Sequence, residues 1–157
     1  MYRILFVCYG NICRSPMAEF CMKDMVKKAG RENDFLISSA ATSRDEIGPS
    51  GGNPVYPPAR KKLAEHGIDC AGKRARQITK EDYGSYDAII CMEKMNVRDA
   101  MKILGSDPDG KVRLLLPSRD IADPWFTGDF EKSWRDIEEG CRKLLEESAR
   151  FYEKVSP

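Results

Sequence analysis

The stretch RILFVCYGNICRSP, residues 3–16, joins an apolar run to the predicted start of a helix through a short turn. Apart from Arg3, residues 3–7 are apolar at every position, which is typical of a strand buried on both faces of a parallel sheet. Ser15 is a predicted N-cap, and Pro16 fits the first helical position, where its missing N–H costs nothing. The turn is therefore a strand-to-helix loop that carries two cysteines, a glycine, an asparagine and an arginine.

The rest of the chain alternates predicted strands with predicted helices. Apolar runs predict three more strands, at 35–38, 86–92 and 112–116. Periodic apolar residues and glycine stops predict helices at 16–30, 59–66 and 96–104, and a long helix whose apolar face runs from Phe130 to Tyr152. Helices between apolar strands are typical of a parallel sheet covered on both faces. We therefore expect an α/β fold of three layers, with a four-stranded parallel sheet.

The composition predicts one domain over residues 1–157, because 41% of 157 residues are hydrophobic. Lys and Arg total 26 against 25 Asp and Glu, so there is no basic excess of the kind that nucleic-acid binding requires. The apolar run after Arg3 is too short for a signal peptide, and no segment is long enough to enter a membrane. Six cysteines without an export signal indicate free thiols, and we expect the chain in the cytoplasm.

The loop that begins at Cys8 is suited to hold an anion. Ligands of parallel sheets bind beyond the carboxyl ends of the strands, and this loop lies there. Its backbone N–H groups and the following helix N-terminus attract a phosphate, while Gly10 permits a tight turn and Arg14 can donate to two phosphate oxygens. The same positive field favours the thiolate of Cys8, a nucleophile. The Gly- and Pro-rich segment 43–58 is predicted to be a long irregular loop that borders the site.

The spacing of a cysteine and an arginine six positions apart is weak evidence by itself, because it occurs twice in this chain. Cys70 and Arg76 also match it, but Cys70 follows EHGID rather than an apolar strand. Gln77 then stands where the first match has a serine. The structural context selects Cys8. No lysine-containing nucleotide loop of the Walker type is present in the sequence.

Cleavage of a phosphate ester also needs an acid that protonates the leaving oxygen, and two Asp-Pro pairs compete for this role. Asp107 lies in DPDG, whose composition is explained by a tight turn. Asp123 lies in DPWF, where two aromatic side chains would partly desolvate the carboxyl group and favour its protonated form. An ordinary turn with core aromatics remains an alternative for DPWF, but together with the Cys8 loop Asp123 is the better candidate.

These residues resemble the low-molecular-weight protein tyrosine phosphatase family over essentially the whole chain. The motifs that carry the resemblance are VCYGNICRSP, SSAATS, IG, HGI, ARQITKEDY, YDAIICM and DPWFTGDF. The resemblance implies a four-stranded parallel sheet with helices on both faces and the phosphatase loop between the first strand and the first helix. It also implies that phosphotyrosine-containing proteins are the substrates and that phosphate or similar oxyanions bind in the site.

The resemblance further implies a two-step reaction that uses neither a metal nor a cofactor. Cys8 would attack phosphorus and form a phosphocysteine while Asp123 protonates the tyrosine oxygen. Asp123 would then act as the base for the water that hydrolyses this intermediate. Arg14 would bind the phosphate and stabilise the transferring group. The loop that holds the phosphate would comprise Tyr9, Gly10, Asn11, Ile12 and Cys13.

Several further residues have roles that only the resemblance implies. Ser15 would donate to the thiolate, and Asn11 would hold the loop in a strained shape with support from Ser39 and His66. His66 is the single histidine, and an interaction with the end of its own helix is the alternative. Cys13 resembles a cysteine that forms a disulfide with oxidised Cys8, and simple packing is equally compatible with its position.

Four residues that bear on substrate choice depart from the common family pattern. Trp125 and Phe126 stand where relatives carry aromatics that wall the cleft, and they lack the tyrosine hydroxyls through which some members are phosphorylated. Asp45 stands where many members have an apolar residue, and an acid there would favour basic residues next to the phosphotyrosine. Tyr9 replaces a commoner aliphatic residue and could add a stacking surface.

Related and unrelated functions compete with this interpretation. Protein arginine phosphatases resemble the chain but carry threonine at the position of Ile12, so Ile12 favours phosphotyrosine. Arsenate reductases of this fold need further cysteines in a mobile segment, whereas Cys91 lies in a predicted strand. A phosphopeptide-binding module without catalysis would have lost Cys8, Arg14 or Asp123. A papain-like Cys–His pair remains a remote option, and redox sensing by Cys8 and Cys13 is compatible with catalysis.

Overall fold

A four-stranded parallel sheet forms the centre of the molecule in a computed structural model that describes residues 1–155, with side chains to residue 150. Its strands are β1 (Tyr2–Cys8), β2 (Phe35–Ala41), β5 (Ala88–Cys91) and β6 (Val112–Leu114), in the order β2-β1-β5-β6. Two further short strands, β3 (Ile47–Gly48) and β4 (Gly51–Gly52), form an antiparallel hairpin. The predicted parallel sheet of four strands is confirmed.

Helices cover both faces of this sheet. They are α1 (Arg14–Lys28), α2 (Pro57–Glu65), α3 (Asp82–Ser85), α4 (Lys94–Leu104), α5 (Pro124–Thr127) and α6 (Phe130–Val155), with a 3₁₀ turn at Glu32–Asp34. Along β1, Ile4 and Phe6 join the core that contains α1, α2 and α6. Leu5 and Val7 join a second core on the opposite face, which contains Leu104 of α4. Because adjacent side chains of a strand point to opposite faces, the apolar run of β1 requires both layers.

The sheet register brings the carboxyl ends of three strands together. Cys8 at the end of β1 pairs with Ala41 at the end of β2, and Val7 pairs with Cys91 at the end of β5. The loops that follow these ends therefore meet at one edge of the sheet, where ligands of parallel sheets bind. In the described part of the chain, no helix combines the length and apolar composition that a membrane crossing needs.

Several predicted boundaries were wrong. The strand predicted at 35–38 continues to Ala41. The strand predicted at 86–92 is shorter at both ends, and the strand predicted at 112–116 ends two residues earlier, at Leu114. The helix α1 begins at Arg14 rather than after Ser15, its N-cap position is Cys13, and no side chain caps it. In the long helix α6, Phe130, Trp134 and Ile137 pack into the core as predicted, whereas the Tyr152 side chain lies outside the described residues.

The segment 43–58 is more ordered than its Gly- and Pro-rich composition suggests. It contains the β3–β4 hairpin, and its last residues already belong to α2. Gly52 lies so close to a neighbouring backbone that a Cβ atom there would be 1.8 Å from the Ala75 carbonyl oxygen. The Tyr56 N–H donates to the carbonyl of Ile12 at 2.9 Å, so the segment is tied directly to the loop after β1.

Candidate active site

The sulfur of Cys8 lies at the base of the loop that joins β1 to α1. The side chain is 3% exposed, and the Asn11 N–H donates to its Sγ at 3.3 Å. The Ser15 Oγ lies 3.0 Å from the same sulfur and accepts a hydrogen bond from Asn11 Nδ2 at 2.8 Å. Because that oxygen already accepts from the amide, its own O–H is available to donate to the sulfur. The predicted contact between Ser15 and Cys8 is present, although the predicted N-cap role of Ser15 was wrong.

Asn11 holds the loop in a conformation that most residues avoid. Its φ is 60°, in the left-handed region, which asparagine tolerates better than most residues with a Cβ atom. Besides Ser15, its Nδ2 donates to Ser39 Oγ at 2.9 Å, and its Oδ1 accepts from the backbone N–H of Arg76 at 3.1 Å. The buried Asn11 side chain thus connects the loop to the end of β2 and to the segment before α3.

The structure does not bring His66 to Asn11. His66 occupies the C-cap position of α2, where its ring stacks on Trp134 with centroids 4.5 Å apart and planes inclined at 22°. The hydrogen bonds of the Asn11 side chain go to Ser15, Ser39 and Arg76 instead. His66 therefore lies at the end of its own helix, as the alternative interpretation had it, and the expected support of Asn11 by His66 is not found.

A buried ion pair that the sequence analysis missed supports Ser39 instead. Glu19 of α1 is 4% exposed, and its carboxylate accepts from Ser39 Oγ and from Lys23 Nζ, the latter at 2.6 Å. Lys73 Nζ lies 3.3 Å from the same carboxylate and donates to the Ser39 carbonyl at 2.9 Å. Burial is the largest cause that lowers the pKa of Lys73 below its ordinary value, although Glu19 raises it. The one sequence signal was a carboxylate among apolar positions of α1, with a lysine four residues further on.

The guanidinium of Arg14 is buried and faces two carboxylates. It is 2% exposed and donates to the Ile121 carbonyl at 2.8 Å. Its other terminal nitrogen lies 3.3 Å from Glu93 Oε1 and 3.4 Å from Asp123 Oδ2. Burial alone would lower the pKa of Arg14, but Cys8, Asp123 and Glu93 together raise it above its ordinary value. Glu93, which the sequence analysis missed, also caps α4.

Asp123 lies at the entrance to α5, and its side chain is 24% exposed. One carboxylate oxygen accepts from the Trp125 N–H at 3.1 Å as an N-cap, while the other faces Arg14. The competing Asp107 accepts from the N–H groups of Lys111 and Val112, at 2.7 and 3.0 Å. Asp107 therefore stabilises a turn, as its local sequence indicated, and of the two competing aspartates it is Asp123 that lies beside Arg14.

A cleft of about 500 Å³ opens above this constellation. Its rim carries three partly exposed aromatic side chains, with exposed fractions of 43% for Tyr9, 52% for Trp125 and 83% for Phe126. The Tyr9 hydroxyl donates to the Asp45 carboxylate across the cleft mouth. The structure thus brings together the predicted loop and wall residues, namely Cys8, Tyr9, Gly10, Asn11, Ile12, Cys13, Arg14, Asp45, Asp123, Trp125 and Phe126.

The other thiols are buried and reduced. All six cysteines are free, and Cys13, 5% exposed, lines the cleft close to Cys8. Burial and the neighbouring Cys8 raise the pKa of Cys13, and the same two causes raise the pKa of Cys91 to about 12. Cys91 lies within β5 and is fully buried. The disulfide between Cys8 and Cys13 stays a prediction.

Comparisons with known proteins agree on one family. A family model described as low molecular weight phosphotyrosine protein phosphatase matches residues 3–154. The low molecular weight protein-tyrosine-phosphatase YfkJ of Bacillus subtilis is 35% identical over 151 residues, covering 92% of this chain and 94% of YfkJ. The human low molecular weight phosphotyrosine protein phosphatase is 37% identical over 154 residues, with 92% and 94% covered.

Solved structures show the same relationship in three dimensions. The YfkJ crystal structure matches with a TM-score of 0.88 and 33% identity, covering 100% of this chain and 98% of that one. The Drosophila arginine phosphatase DARP matches with a TM-score of 0.81 and 27% identity, covering 92% and 96%. The sheet, the loop after β1 and these similarities define a protein-tyrosine phosphatase. The chain belongs to the low molecular weight phosphotyrosine protein phosphatase family.

Proposed function

We propose that the chain hydrolyses phosphotyrosine in proteins, with Cys8 as nucleophile, Arg14 as phosphate ligand and Asp123 as general acid and base. The observation that carries the proposal is the convergence of these three side chains on one cleft, with Arg14 3.4 Å from Asp123 and the Cys8 sulfur at the base. A nucleophile, an anion-binding cation and a proton donor are the groups that ester cleavage through a covalent intermediate needs.

In the first step the Cys8 thiolate attacks phosphorus on the side opposite the tyrosine oxygen. An S–P bond forms and the P–O bond to tyrosine breaks, while protonated Asp123 gives its proton to the leaving oxygen. The O–H of Ser15, 3.0 Å from the sulfur, stabilises the thiolate before the attack. The loop N–H groups and Arg14 neutralise the charge on the three transferring oxygens.

In the second step the Asp123 carboxylate takes a proton from water, and the water oxygen attacks phosphorus. The S–P bond breaks, the thiolate is restored and inorganic phosphate leaves. In this cycle Asp123 donates and accepts the transferred protons, and the side chains and backbone N–H groups of the loop stabilise the negative charges. The cycle therefore requires no metal ion.

The choice of phosphotyrosine over phosphoarginine is part of the proposal. A related structure is named an arginine phosphatase, so phosphoarginine is the main rival substrate. Ile12, 9% exposed, places an aliphatic side chain in the cleft wall and offers no hydroxyl to a guanidinium group. Trp125 and Phe126 supply aromatic surface for the tyrosine ring. We also propose that the exposed Asp45 favours basic residues next to the phosphotyrosine.

Phosphate release from phosphotyrosine and phosphoarginine peptides, in buffer with a chelator, tests the proposal. We expect turnover of phosphotyrosine by the native chain, no turnover by Cys8→Ser, and a loss of about 10²–10⁴-fold in kcat for Asp123→Ala. Asp107→Asn, which changes the competing Asp-Pro pair, should keep the native kcat. A preference for phosphoarginine would overturn the substrate assignment, but the proposed roles of Cys8, Arg14 and Asp123 would still hold. Tight phosphate binding without turnover would instead indicate a phosphopeptide-binding module.

The cellular location and the redox behaviour are further parts of the proposal. Six free thiols fit a reducing compartment, so we propose the cytoplasm. Oxidation of Cys8 by a peroxide to a sulfenic acid, followed by attack of the Cys13 thiol and loss of water, would form the predicted disulfide. The disulfide removes two hydrogen atoms from the chain. A mass decrease of that size in the peroxide-treated native chain that is absent from Cys13→Ser would support this pairing.

A further inference from the structure

A second depression adjoins the candidate active site on the far side of Trp125. Its volume is about 580 Å³, and it shares Ile12, Glu46 and Trp125 with the cleft above Cys8. Tyr56 packs against Trp125 with ring centroids 4.7 Å apart, so the two rings form a wall between the two spaces. A peptide whose phosphotyrosine enters the first cleft can therefore extend on one side into this second depression.

The floor of the second depression is apolar and offers few hydrogen-bond donors. It is built from the segment Pro54–Pro57, in which both prolines lack an N–H. The Tyr56 N–H is already used by the Ile12 carbonyl. An extended peptide would therefore find little backbone to pair with here, and an aliphatic or aromatic side chain is the group that fits this floor.

Two cations without carboxylate partners border the same floor. Arg60 and Lys61, consecutive residues of α2, are exposed and line the depression. Among the side chains that the structure describes, no carboxylate lies within ion-pair distance of either one. The next residue, Lys62, shows the contrast, because it pairs with Glu65 at 2.8 Å and Glu131 at 2.7 Å. The charge of Arg60 and Lys61 is thus available to a ligand.

The carboxylate on the boundary between the two spaces is held in place. Glu46 lines both, and its side chain accepts from Asn53 Nδ2 at 2.7 Å. On the cleft side the exposed Asp45 adds a second negative charge. The mouth of the cleft is therefore acidic, whereas the far end of the second depression is basic. A bound peptide is therefore favoured in the orientation that places its acidic residues near Arg60 and Lys61 and its basic residues near Asp45.

We propose that this depression is a substrate subsite, which binds an apolar residue and an adjacent acidic residue of the phosphotyrosine protein on one side of the phosphotyrosine. The proposal rests on the proposed function, since it places the rest of the substrate relative to the phosphate loop. Arg60 and Lys61 pair with the acidic side chain, and the surface formed by Tyr56 and the prolines contacts the apolar one. Basic residues on the other side of the phosphotyrosine face Asp45.

Turnover of matched phosphotyrosine peptides tests the subsite. Each peptide carries Leu-Asp or Leu-Lys, placed either before or after the phosphotyrosine, and kcat/KM is measured for the native chain and for the variant Arg60→Glu with Lys61→Glu. We expect the native chain to prefer Leu-Asp on one side only, by about three- to ten-fold. The double variant should lose or reverse this preference. Lys102→Glu, on the opposite face of the sheet, is the control and should retain it.

Free phosphotyrosine as a substrate distinguishes a loss of peptide binding in the second depression from a loss of the reaction in the first cleft. Its kcat/KM should be the same for the native chain and the double variant, because it reaches only the first cleft. If the native chain turns over none of these compounds, the proposed function fails. If the peptides are turned over with no Leu-Asp preference on either side, or with one that the double variant keeps, the subsite is overturned. Replacement of Leu by Gly in the preferred peptide should also lower kcat/KM.

Discussion

At the scale of single residues, the loop after β1 depends on Asn11. Among the described residues it is the one non-glycine residue with a positive φ. Its side chain makes hydrogen bonds to Ser15, to Ser39 and to the backbone of Arg76, all of which are lost on truncation. Asn11 therefore combines a strained backbone with the contacts that compensate for the strain.

Asn11→Ala should lower the free energy of unfolding by about 2–4 kcal/mol, from the lost hydrogen bonds and the left-handed backbone. Asn11→Gly loses the same bonds without the backbone strain, so we expect it to be about 1 kcal/mol less destabilising. Urea denaturation of both variants measures the difference. Equal unfolding free energies would mean that the left-handed conformation does not persist in Asn11→Ala.

The contacts of Ser15 and Ser39 show which properties of a single residue can be predicted from the sequence and which cannot. A serine before a proline is typical of an N-cap, but here the Ser15 hydroxyl contacts Asn11 and Cys8, and the helix begins two residues earlier than predicted, at Arg14. The contacts of Ser39 with Glu19 and Lys73 join residues 20 and 34 positions apart. Such contacts follow from the packing of α1 against the sheet, and no local pattern in the sequence marks them.

At the scale of elements, the β3–β4 hairpin is held against the segment before α3 by close backbone contact. The Ala75 N–H donates to the Asn53 carbonyl at 2.9 Å, directly after Gly52. The hairpin then positions Glu46, which borders both the cleft and the second depression, and the entrance to α2, which borders the second depression. The Gly- and Pro-rich composition predicted an irregular loop here, and strands of two residues leave no periodic pattern that would reveal them.

Gly52→Ala should be destabilising, since its Cβ would meet the Ala75 carbonyl oxygen at 1.8 Å and force the two segments apart. We expect a loss of about 1–3 kcal/mol, as for other overpacked sites. Gly84→Ala is the matched control: a Cβ there has nothing within 4 Å, and alanine favours the helical backbone of α3, so the unfolding free energy should stay the same or rise by up to about 1 kcal/mol. Similar urea midpoints for the two variants would contradict the close approach at Gly52.

A second element-scale contact joins β1 to the start of β5. Arg3 donates to Asp87 from its backbone N–H at 2.8 Å and from its guanidinium at 3.0 and 3.2 Å. Burial alone would raise the pKa of Asp87, but these hydrogen bonds and the positive charges of Arg3 and Lys111 outweigh it and hold the pKa below its ordinary value. The folded state thus favours the charged carboxylate.

This depressed pKa predicts a pH-dependent contribution to stability. The contribution is complete above the unfolded-state pKa of about 3.9 and is lost as the pH falls through the lower folded-state value. Asp87→Asn should therefore be about 1 kcal/mol less stable than the native chain at pH 7, allowing for solvent screening of this half-exposed pair. Urea denaturation from pH 7 to pH 2 should show the gap closing below about pH 4. A gap that is independent of pH would contradict the role of the charge.

At the scale of the whole molecule, the layers were predictable because their signals are local and strong. The apolar run of β1, the glycine that follows α4 and the periodic apolar face of α6 each correspond to an observed element. The association of Cys8, Arg14 and Asp123 was expected from the carboxyl-end rule and from family resemblance. The contacts of Arg14 with the Glu93 carboxylate and the Ile121 carbonyl were not expected, because both residues lie far from it in sequence and no motif marks them.

The two cores share one sheet, and we propose that residues 1–157 form one cooperative domain. Thermal or urea unfolding should then follow a single transition, with circular dichroism and near-ultraviolet signals coinciding. Non-coincident curves would mean that the layer with α4 unfolds separately from the layer with α1 and α6.

The placement of the two tryptophans gives the chain separate optical reporters. Trp134 is 2% exposed in the core under His66, while Trp125 is 52% exposed on the wall between the two substrate spaces. The fluorescence of Trp134 therefore reports unfolding, and the fluorescence of Trp125 reports occupancy of either space. A Trp125→Phe variant assigns each signal, so ligand affinity and conformational stability become measurable on the same unlabelled sample.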